Sequence, residues 1–157
     1  MLSHIDKKGN AKIVDISNKK ITKRIAIASG MIFVTNEILE QIKKNETKKG
    51  DIFTVAKIAG IMAAKKTSDL IPLCHPLKID DIQIAFHVDD SKKVIIAEAE
   101  VKCENKTGVE MEALTAISIT LLTIYDMCKA ISHEMKITDV HLTKKSGGKT
   151  NFSNQSI

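Results

Sequence analysis

The amino-acid sequence predicts an α+β domain in which an antiparallel sheet packs against helices. Strand-like and helix-like segments are mixed along the chain without the regular βαβ repeat of a parallel sheet. Two runs of alternating apolar and polar residues flank a polar turn at 89–93, which is the pattern of an antiparallel hairpin. Residues 113–124 carry no charge, which indicates a helix that is buried on most sides.

The N-terminal part is predicted to contain an arm and two strands. Residues 1–10 are polar and include glycine, so we expect them to form a flexible arm. Residues 12–16 and 21–34 are rich in the residue types of β-strands. We expect Gly30 to break the second of these strands, because glycine weakens a strand interior.

Two helices should follow these strands. Thr35 is a suitable N-cap for a short helix over 36–44. Residues 45–50 are charged and turn-forming, and are too few to separate two domains. Asp51 is a suitable cap for a second helix that ends near Lys66, since apolar residues recur there with helical spacing.

A proline-bracketed segment and a hairpin come next. Pro72 and Pro76 should hold residues 73–75 extended, because residues that precede proline avoid the α region. Residues 82–88 and 95–101 alternate between apolar and polar side chains, so each predicted strand has one wet face.

The C-terminal part is predicted to consist of one long helix, one strand and a basic tail. The helix covers about 108–132 and the strand covers 137–142. Residues 144–149 contain three lysines and two glycines, and we expect them to form a flexible loop.

Composition bounds the class of protein. A chain of 157 residues with 43% apolar and 27% charged residues is one globular domain over 1–157, with flexible ends at 1–10 and 150–157. Aromatic residues make up only 3%, so we expect a core of aliphatic residues that gains from oligomerisation. The net charge of +5 favours anionic partners, from phosphorylated small molecules to nucleic acid.

The cysteines and the N-terminus indicate the compartment. Three widely spaced cysteines do not form a disulfide framework and fit a reducing environment better. The N-terminus has no apolar segment of signal-peptide length, and the uncharged run at 113–124 is too short to cross a bilayer. We therefore expect a soluble, cytoplasmic protein without a membrane partner.

His75 and Cys74 lie between two prolines and allow two interpretations. His75 can be a turn residue with a satisfied hydrogen bond, or a proton-transfer group, since histidine titrates near neutral pH. A zinc site is rejected, because the chain has neither a Cys-x-x-Cys motif nor paired histidines. No other metal site is predicted.

Four ionisable residues stand near the two ends of the long helix. Glu110 and Glu112 can stabilise the helix by placing negative charge at the positive end of its dipole, or they can take part in catalysis. Asp126 and Lys129 are spaced for an ion pair, and in so apolar a helix we expect that pair to be partly buried. Fourteen residues separate Glu112 from Asp126, or about 21 Å along a straight helix. One small site that uses both must draw on two subunits.

The basic segments have weaker signals. Residues 148–150 imitate a Walker A motif, but its first glycine would fall at Thr143, so the motif fails. Lys145 and its neighbouring lysines can bind phosphate or remain solvated. Lys49 precedes a predicted helix start and has the same ambiguity.

Five motifs in order along the chain identify a resemblance. They are KGDIFTVAKIAG at 49–60, LIPLCHPL at 70–77, KTGVEMEALTA at 106–116, LTIYDMCKA at 122–130 and KSGGK at 145–149. Together they closely resemble the cyclic pyranopterin monophosphate synthase family, which provides the second enzyme of molybdenum cofactor biosynthesis. The resemblance covers nearly the whole chain.

The resemblance implies a ferredoxin-like α+β subunit in a hexamer built as a trimer of dimers, with sites at the dimer interface. The family's substrate is a cyclised dihydroguanosine triphosphate. Its imidazole ring is opened, the purine is rebuilt as a pyranopterin, and a cyclic phosphate closes with loss of diphosphate. This is acid/base chemistry without an organic cofactor, and any Mg²⁺ would be bound together with the substrate triphosphate.

The resemblance also implies roles for particular residues. Asp126 and Lys129 match the family's principal acid/base pair. Residues that match others required for the reaction are Lys49, His75 and Glu110. Residues that match substrate contacts are Leu73, Cys74, His75, Met111 and Glu112. The basic residues that match holders of the triphosphate are Arg24 and Lys145.

Two competing classes are weaker. A basic nucleic-acid-binding module is allowed by charge, but the scarcity of aromatic residues removes the stacking platforms that such modules use. A purely structural oligomer leaves the charged groups of the long helix unexplained. We therefore expect a small-molecule triphosphate as the partner, and no nucleic acid.

Overall fold

The computed structural model describes residues 3–44 and 51–154. The described elements are, in chain order, β1 (Thr22–Phe33), α1 (Asn36–Lys44), α2 (Ile52–Lys65), α3 (Thr67–Leu70), β2 (Asp81–Asp89), β3 (Val94–Asn105), α4 (Glu110–Cys128), β4 (Lys136–Ser146) and β5 (Phe152–Ser153).

The strands form one antiparallel sheet in the order β2-β3-β1-β4-β5. Helices separate β1 from β2 and β3 from β4, so the order of elements up to β4 is βαββαβ. With β1 and β3 as its central pair, this is the ferredoxin-like arrangement. The predicted α+β class, the antiparallel sheet and the ferredoxin-like arrangement are confirmed.

Small residues on one face of β1 let α4 approach the sheet closely. Ala26 and Ala28 are fully buried there. At Gly30, an added Cβ would lie 2.8 Å from Leu121 Cδ1 and 2.9 Å from a methyl carbon of Ile117. Gly30 therefore makes room for α4. The predicted break at this residue was wrong, because β1 continues through it and only its register with β4 shifts.

The long helix is the centre of the core. α4 packs against β1, β3, β4 and α2, and its inward residues Ile117, Leu121 and Ile124 are fully buried. By length and composition alone it could cross a membrane, but half of it is buried within this domain, as is usual for a core helix. It is shorter than the predicted 108–132, so Lys129 stands just beyond its last residue.

The predicted N-caps are present. Thr35 Oγ1 accepts a hydrogen bond from the backbone N–H of Ile38 at 3.4 Å. Asp51 Oδ1 accepts one from the backbone N–H of Phe53 at 3.0 Å, which begins α2. The predicted turn at 45–50 lies outside the described residues.

Two expectations near the chain ends were wrong. Residues 12–16 are not a strand: Ile5 and Ala11 form an isolated bridge, and the chain beyond it has no regular element before β1. Residues 144–146 are not a loop, because β4 continues to Ser146 in register with β1. A charged strand of this kind is specified by its neighbour and not by its own hydrophobicity.

Candidate active site

Two adjoining clefts lie beside the N-terminal end of α4. The first cleft, of about 680 Å³, is bounded by the end of β4, the start of β1 and the β3–α4 loop. The second cleft, of about 260 Å³, is bounded by the first turn of α4 and the segment after α3. They share Lys19, Thr107, Gly108 and Glu110 as lining residues, so the two form one continuous depression.

The first cleft is strongly cationic. Among the described residues, its lining includes six basic side chains and two carboxylates, which are Lys19, Lys20, Arg24, Lys106, Lys145 and Lys149 against Asp15 and Glu110. An excess of cations around a concave surface raises the local concentration of anions. The first cleft is therefore suited to a polyanionic group such as a chain of phosphates.

Arg24 is held in place by backbone carbonyl groups. Its Nε donates to Asn105 O at 3.3 Å and its Nη2 donates to Lys106 O at 3.2 Å. A Cβ added to Gly148 would lie 2.8 Å from Arg24 Nη1, so glycine leaves space for the guanidinium group. Because these bonds leave further guanidinium N–H groups available, Arg24 can also bind an anion.

Lys145 and Glu110 form an ion pair at the boundary of the two clefts. Lys145 Nζ lies 3.1 Å from Glu110 Oε1, and each side chain is about one-third exposed. The Glu110 carboxylate folds over Gly108, where an added Cβ would lie 2.0 Å from Glu110 Oε2. Gly108 thus allows the β3–α4 loop to bring Glu110 towards β4.

Glu112 supplies a buried carboxyl group to the second cleft. It is 4% exposed, and burial raises its pKa from the ordinary value of 4.5 to about 7. The negative charge of Glu110 adds to this increase, while the N–H of Glu112 itself opposes it. A carboxyl group with a pKa near neutrality can both donate and accept a proton at physiological pH.

The neighbouring cysteines are thiols. Burial raises the pKa of Cys74, and the charge of Glu112 raises it further. Cys103, a buried residue of β3, has a pKa raised to about 11, chiefly by burial. Because the thiolate is the nucleophilic form of cysteine, neither residue is activated for covalent chemistry.

His75 has one ring nitrogen committed to the backbone. Its Nε2 lies 2.7 Å from the carbonyl oxygen of Val14. A carbonyl oxygen only accepts, so Nε2 carries the proton in this bond. In the neutral ring, Nδ1 is then the nitrogen that can accept a proton.

Asp126 and Lys129 lie at the opposite end of α4. Lys129 Nζ is 2.6 Å from Asp126 Oδ1, and hydrogen bonding to this carboxylate raises the lysine pKa. The predicted ion pair is present. Its predicted partial burial was wrong for the single chain, where the two side chains are 59% and 49% exposed, because both stand at the solvated end of the helix.

Comparison with known proteins gives the same family as the motifs. Residues 13–148 match the model of the MoaC family. The chain belongs to the MoaC family. It is 54% identical to the cyclic pyranopterin monophosphate synthase of Clostridium perfringens over 95% of this chain and 94% of that protein. It is 49% identical to the synthase of the same name from Thermoanaerobacter pseudethanolicus, over 99% of both chains.

A eukaryotic relative is longer. The chain is 50% identical, over 98% of its length, to the molybdenum cofactor biosynthesis protein moc-5 of Caenorhabditis elegans. The matched region is 26% of that protein, so the chain spans about a quarter of this relative. The bacterial relatives, in contrast, are matched over nearly their whole length.

The MoaC-family structure brings most of the predicted site residues to the two clefts. Arg24 and Lys145 line the first cleft, Glu110 lines both, and the second contains the remaining group, which is Leu73, Cys74, His75, Met111 and Glu112. Asp126 and Lys129 are not among the described lining residues of either cleft. Lys49 lies outside the described residues. The individual roles of these residues stay predictions.

Several cleft residues were not predicted from the sequence. Lys19, Lys20 and Lys106 line the first cleft, although no motif assigned them a role. A basic pair directly before a strand was visible, but this pattern is equally typical of a solvated surface. Within residues 3–44 and 51–154, no three His, Cys, Asp or Glu side chains are grouped as metal ligands would be.

Proposed function

We propose that this chain is a cyclic pyranopterin monophosphate synthase. It converts a cyclised dihydroguanosine triphosphate into cyclic pyranopterin monophosphate and diphosphate by general acid/base catalysis, which makes it a lyase of molybdenum cofactor biosynthesis. The observation that carries this proposal is the near full-length match to bacterial proteins of that name.

The charges of the first cleft support a triphosphate ligand. Arg24 presents a planar guanidinium group whose orientation is set by two carbonyl groups, and Lys145 adds a positive charge to the lining of the same cleft. Arginine and lysine stabilise phosphate oxygens, and they also stabilise the charge that develops on a departing diphosphate. The triphosphate is therefore assigned to the first cleft and the base to the second.

The second cleft supports proton transfer at the base. Ring opening and ring closure require protons to be removed and delivered at several atoms. Glu112 has a pKa near 7, and His75 presents Nδ1 while Nε2 is bonded to Val14. Asp126 and Lys129 supply a further acid/base pair from the opposite end of α4.

The position of that pair supports a shared site. α4 is uninterrupted between Glu112 and Asp126, so the estimate of about 21 Å holds for this helix. A second subunit must then bring its own Asp126 and Lys129 to the clefts. One face of α2 exposes Val55, Ile58 and Met62, and this apolar surface is available for assembly. The proposed assembly is a hexamer of three dimers.

The remaining parts of the proposal concern cofactors and location. The protein needs no organic cofactor or resident metal, and any Mg²⁺ is bound together with the triphosphate. It acts in the cytoplasm, on a small molecule and not on nucleic acid.

One assay tests the function. Purified protein is incubated with the cyclised dihydro-GTP, and diphosphate release is followed beside the Clostridium perfringens synthase as a positive control. We expect diphosphate and cyclic pyranopterin monophosphate in equal amounts without added redox cofactor. If the control turns over and this protein does not, the proposal is wrong. Steeply salt-dependent binding to random RNA would then favour the nucleic-acid-binding class.

A further inference from the structure

The segment of residues 11–20, here called the strap, lines both clefts. It contributes Val14 and Ile16 to the second cleft, and it contributes Asp15 and Lys20 to the first. Lys19 lines both clefts. Beyond the bridge at its first residue the strap has no helix or strand, so its position depends on individual contacts.

Two long-range hydrogen bonds connect the strap to the rest of the site. His75 donates through Nε2 to Val14 O at 2.7 Å. Lys106 donates through Nζ to Ser17 O, also at 2.7 Å. Other hydrogen bonds of the strap are local: Asp15 Oδ1 accepts from the backbone N–H of Ser17, and the backbone N–H of Lys19 donates to Ile16 O. Local bonds shape the strap but cannot fix where it lies.

Lys106 links the strap to the anion-binding side of the site. It lies in the β3–α4 loop, and its backbone carbonyl accepts the bond from Arg24 Nη2. Its own N–H donates to the side chain of Asn105 at 2.7 Å, which fixes the backbone from which the lysine extends. One residue therefore orients both the guanidinium group and the strap lysines that line the same cleft.

We propose that Lys106 is a positioning residue that holds the strap in place through Ser17 and so keeps Lys19 and Lys20 at the first cleft. The expected effect of Lys106 on substrate binding rests on the proposed function, whereas its expected effect on the strap does not. One of the three N–H groups of the Lys106 ammonium is used by Ser17 O, so the lysine can hold the strap whether or not it also contacts a phosphate. Its contribution to catalysis is to keep the strap ordered before substrate arrives.

The test compares three variants with the wild-type protein. Lys106→Met keeps the length of the side chain and removes the donor, whereas Lys106→Arg keeps a donor. Lys102→Met is the matched control, because Lys102 is a half-buried lysine of β3 that pairs with Glu100 and Asp81 and is not among the described lining residues. Limited trypsin digestion then reports cleavage after Lys19 and Lys20, and steady-state kinetics report KM and kcat.

We expect Lys106→Met to be cleaved in the strap about tenfold faster, the factor expected for one hydrogen bond from a charged donor. KM should rise by a similar factor of about ten while kcat falls less, because bound substrate restores the order of the strap. Lys106→Arg should recover most of both effects, and Lys102→Met should match the wild type in both.

Two outcomes would overturn the inference. A raised KM with unchanged cleavage would mean that Lys106 acts on the phosphates directly. Faster cleavage with unchanged KM would mean that the order of the strap does not matter for binding. An inactive wild-type protein would instead refute the proposed function; the digestion would still decide the role of Lys106 in holding the strap, with calorimetric binding of inorganic diphosphate replacing KM.

Discussion

The carboxyl group of Glu112 is buried in the first turn of α4, and this makes the stability of the fold depend on pH. Its pKa in the folded protein, about 7, lies above the ordinary value of 4.5. Between these values the folded state binds more protons than the unfolded state, so stability falls as pH rises through this range and levels off above about 7.

We expect Glu112→Gln to remove this dependence, because an amide does not ionise. The wild-type free energy of unfolding should decline by roughly 2–3 kcal/mol between pH 5 and pH 8, at about 1.4 kcal/mol for each pKa unit, whereas the variant should stay nearly level. Urea unfolding at a fixed protein concentration measures both profiles. Parallel profiles would show that Glu112 is ionised in the folded protein at pH 5.

A second prediction at the residue scale concerns Lys129. Lys129→Ala should abolish turnover with little change in melting temperature, because a solvated ion pair contributes little to stability. Lys92→Ala is the matched control, since Lys92 also pairs with an aspartate three residues away and is not among the described lining residues of either cleft. An active Lys129→Ala protein, or one that loses activity only because it unfolds, would contradict the role assigned to this pair.

Among the elements, α2 and α4 meet at a contact that only a glycine permits. A Cβ at Gly60 would lie 2.1 Å from Thr120 Oγ1, 2.5 Å from Ile84 Cδ1 and 3.1 Å from the carbonyl oxygen of Ala116. Thr120 is fully buried, and its Oγ1 has no hydrogen-bond partner among the described residues. The hydroxyl group therefore adds a desolvation cost to a tightly packed crossing.

We expect Gly60→Ala to destabilise the fold by about 1–3 kcal/mol through overpacking, which outweighs the gain in helix propensity of at most about 1 kcal/mol. In a Thr120→Ala background the same substitution should cost less, because the nearest atom has been removed. A double-mutant cycle by chemical denaturation measures this coupling. Additive effects would mean that α2 shifts away from α4 instead of meeting Thr120.

The elements differ in how far the sequence predicts them. The hairpin follows from the alternation of apolar and polar residues, and α4 follows from its uncharged run. α2 begins directly after Asp51, because a carboxylate there can accept a backbone N–H. The end of β4 was missed, since Lys144 and Lys145 are strand residues only because β1 is adjacent. Residues 12–16 were assigned to a strand for their β-branched content, but no neighbouring strand pairs with them in the described structure.

The site was predictable to the extent that motifs carry it. Glu112 and His75 stood in recognisable motifs, whereas Lys106 became informative only when its distance to Ser17 was known. The approach of the strap to the β3–α4 loop depends on tertiary packing, and no local pattern encodes a contact between residues 89 positions apart.

On the scale of the whole molecule, we expect each active site to need two chains. Glu112→Ala and Asp126→Ala proteins should each be inactive, but subunit exchange should produce mixed dimers with one intact and one doubly damaged site. Activity should then return to about a quarter of the wild-type value, since random pairing makes half of the dimers mixed. Native mass spectrometry verifies the exchange. No recovery after proven exchange would mean that each site is built within one chain.

The uninterrupted course of α4 also limits how this protein can change. Each residue added to a helix advances its far end by about 1.5 Å and turns it by about 100°. A single insertion in the uncharged middle would therefore point Asp126 and Lys129 in a different direction from Glu110 and Glu112. Apolar substitutions along α4 leave this angular phase intact, while changes in its length do not. The helix can vary in composition far more freely than in the number of its residues.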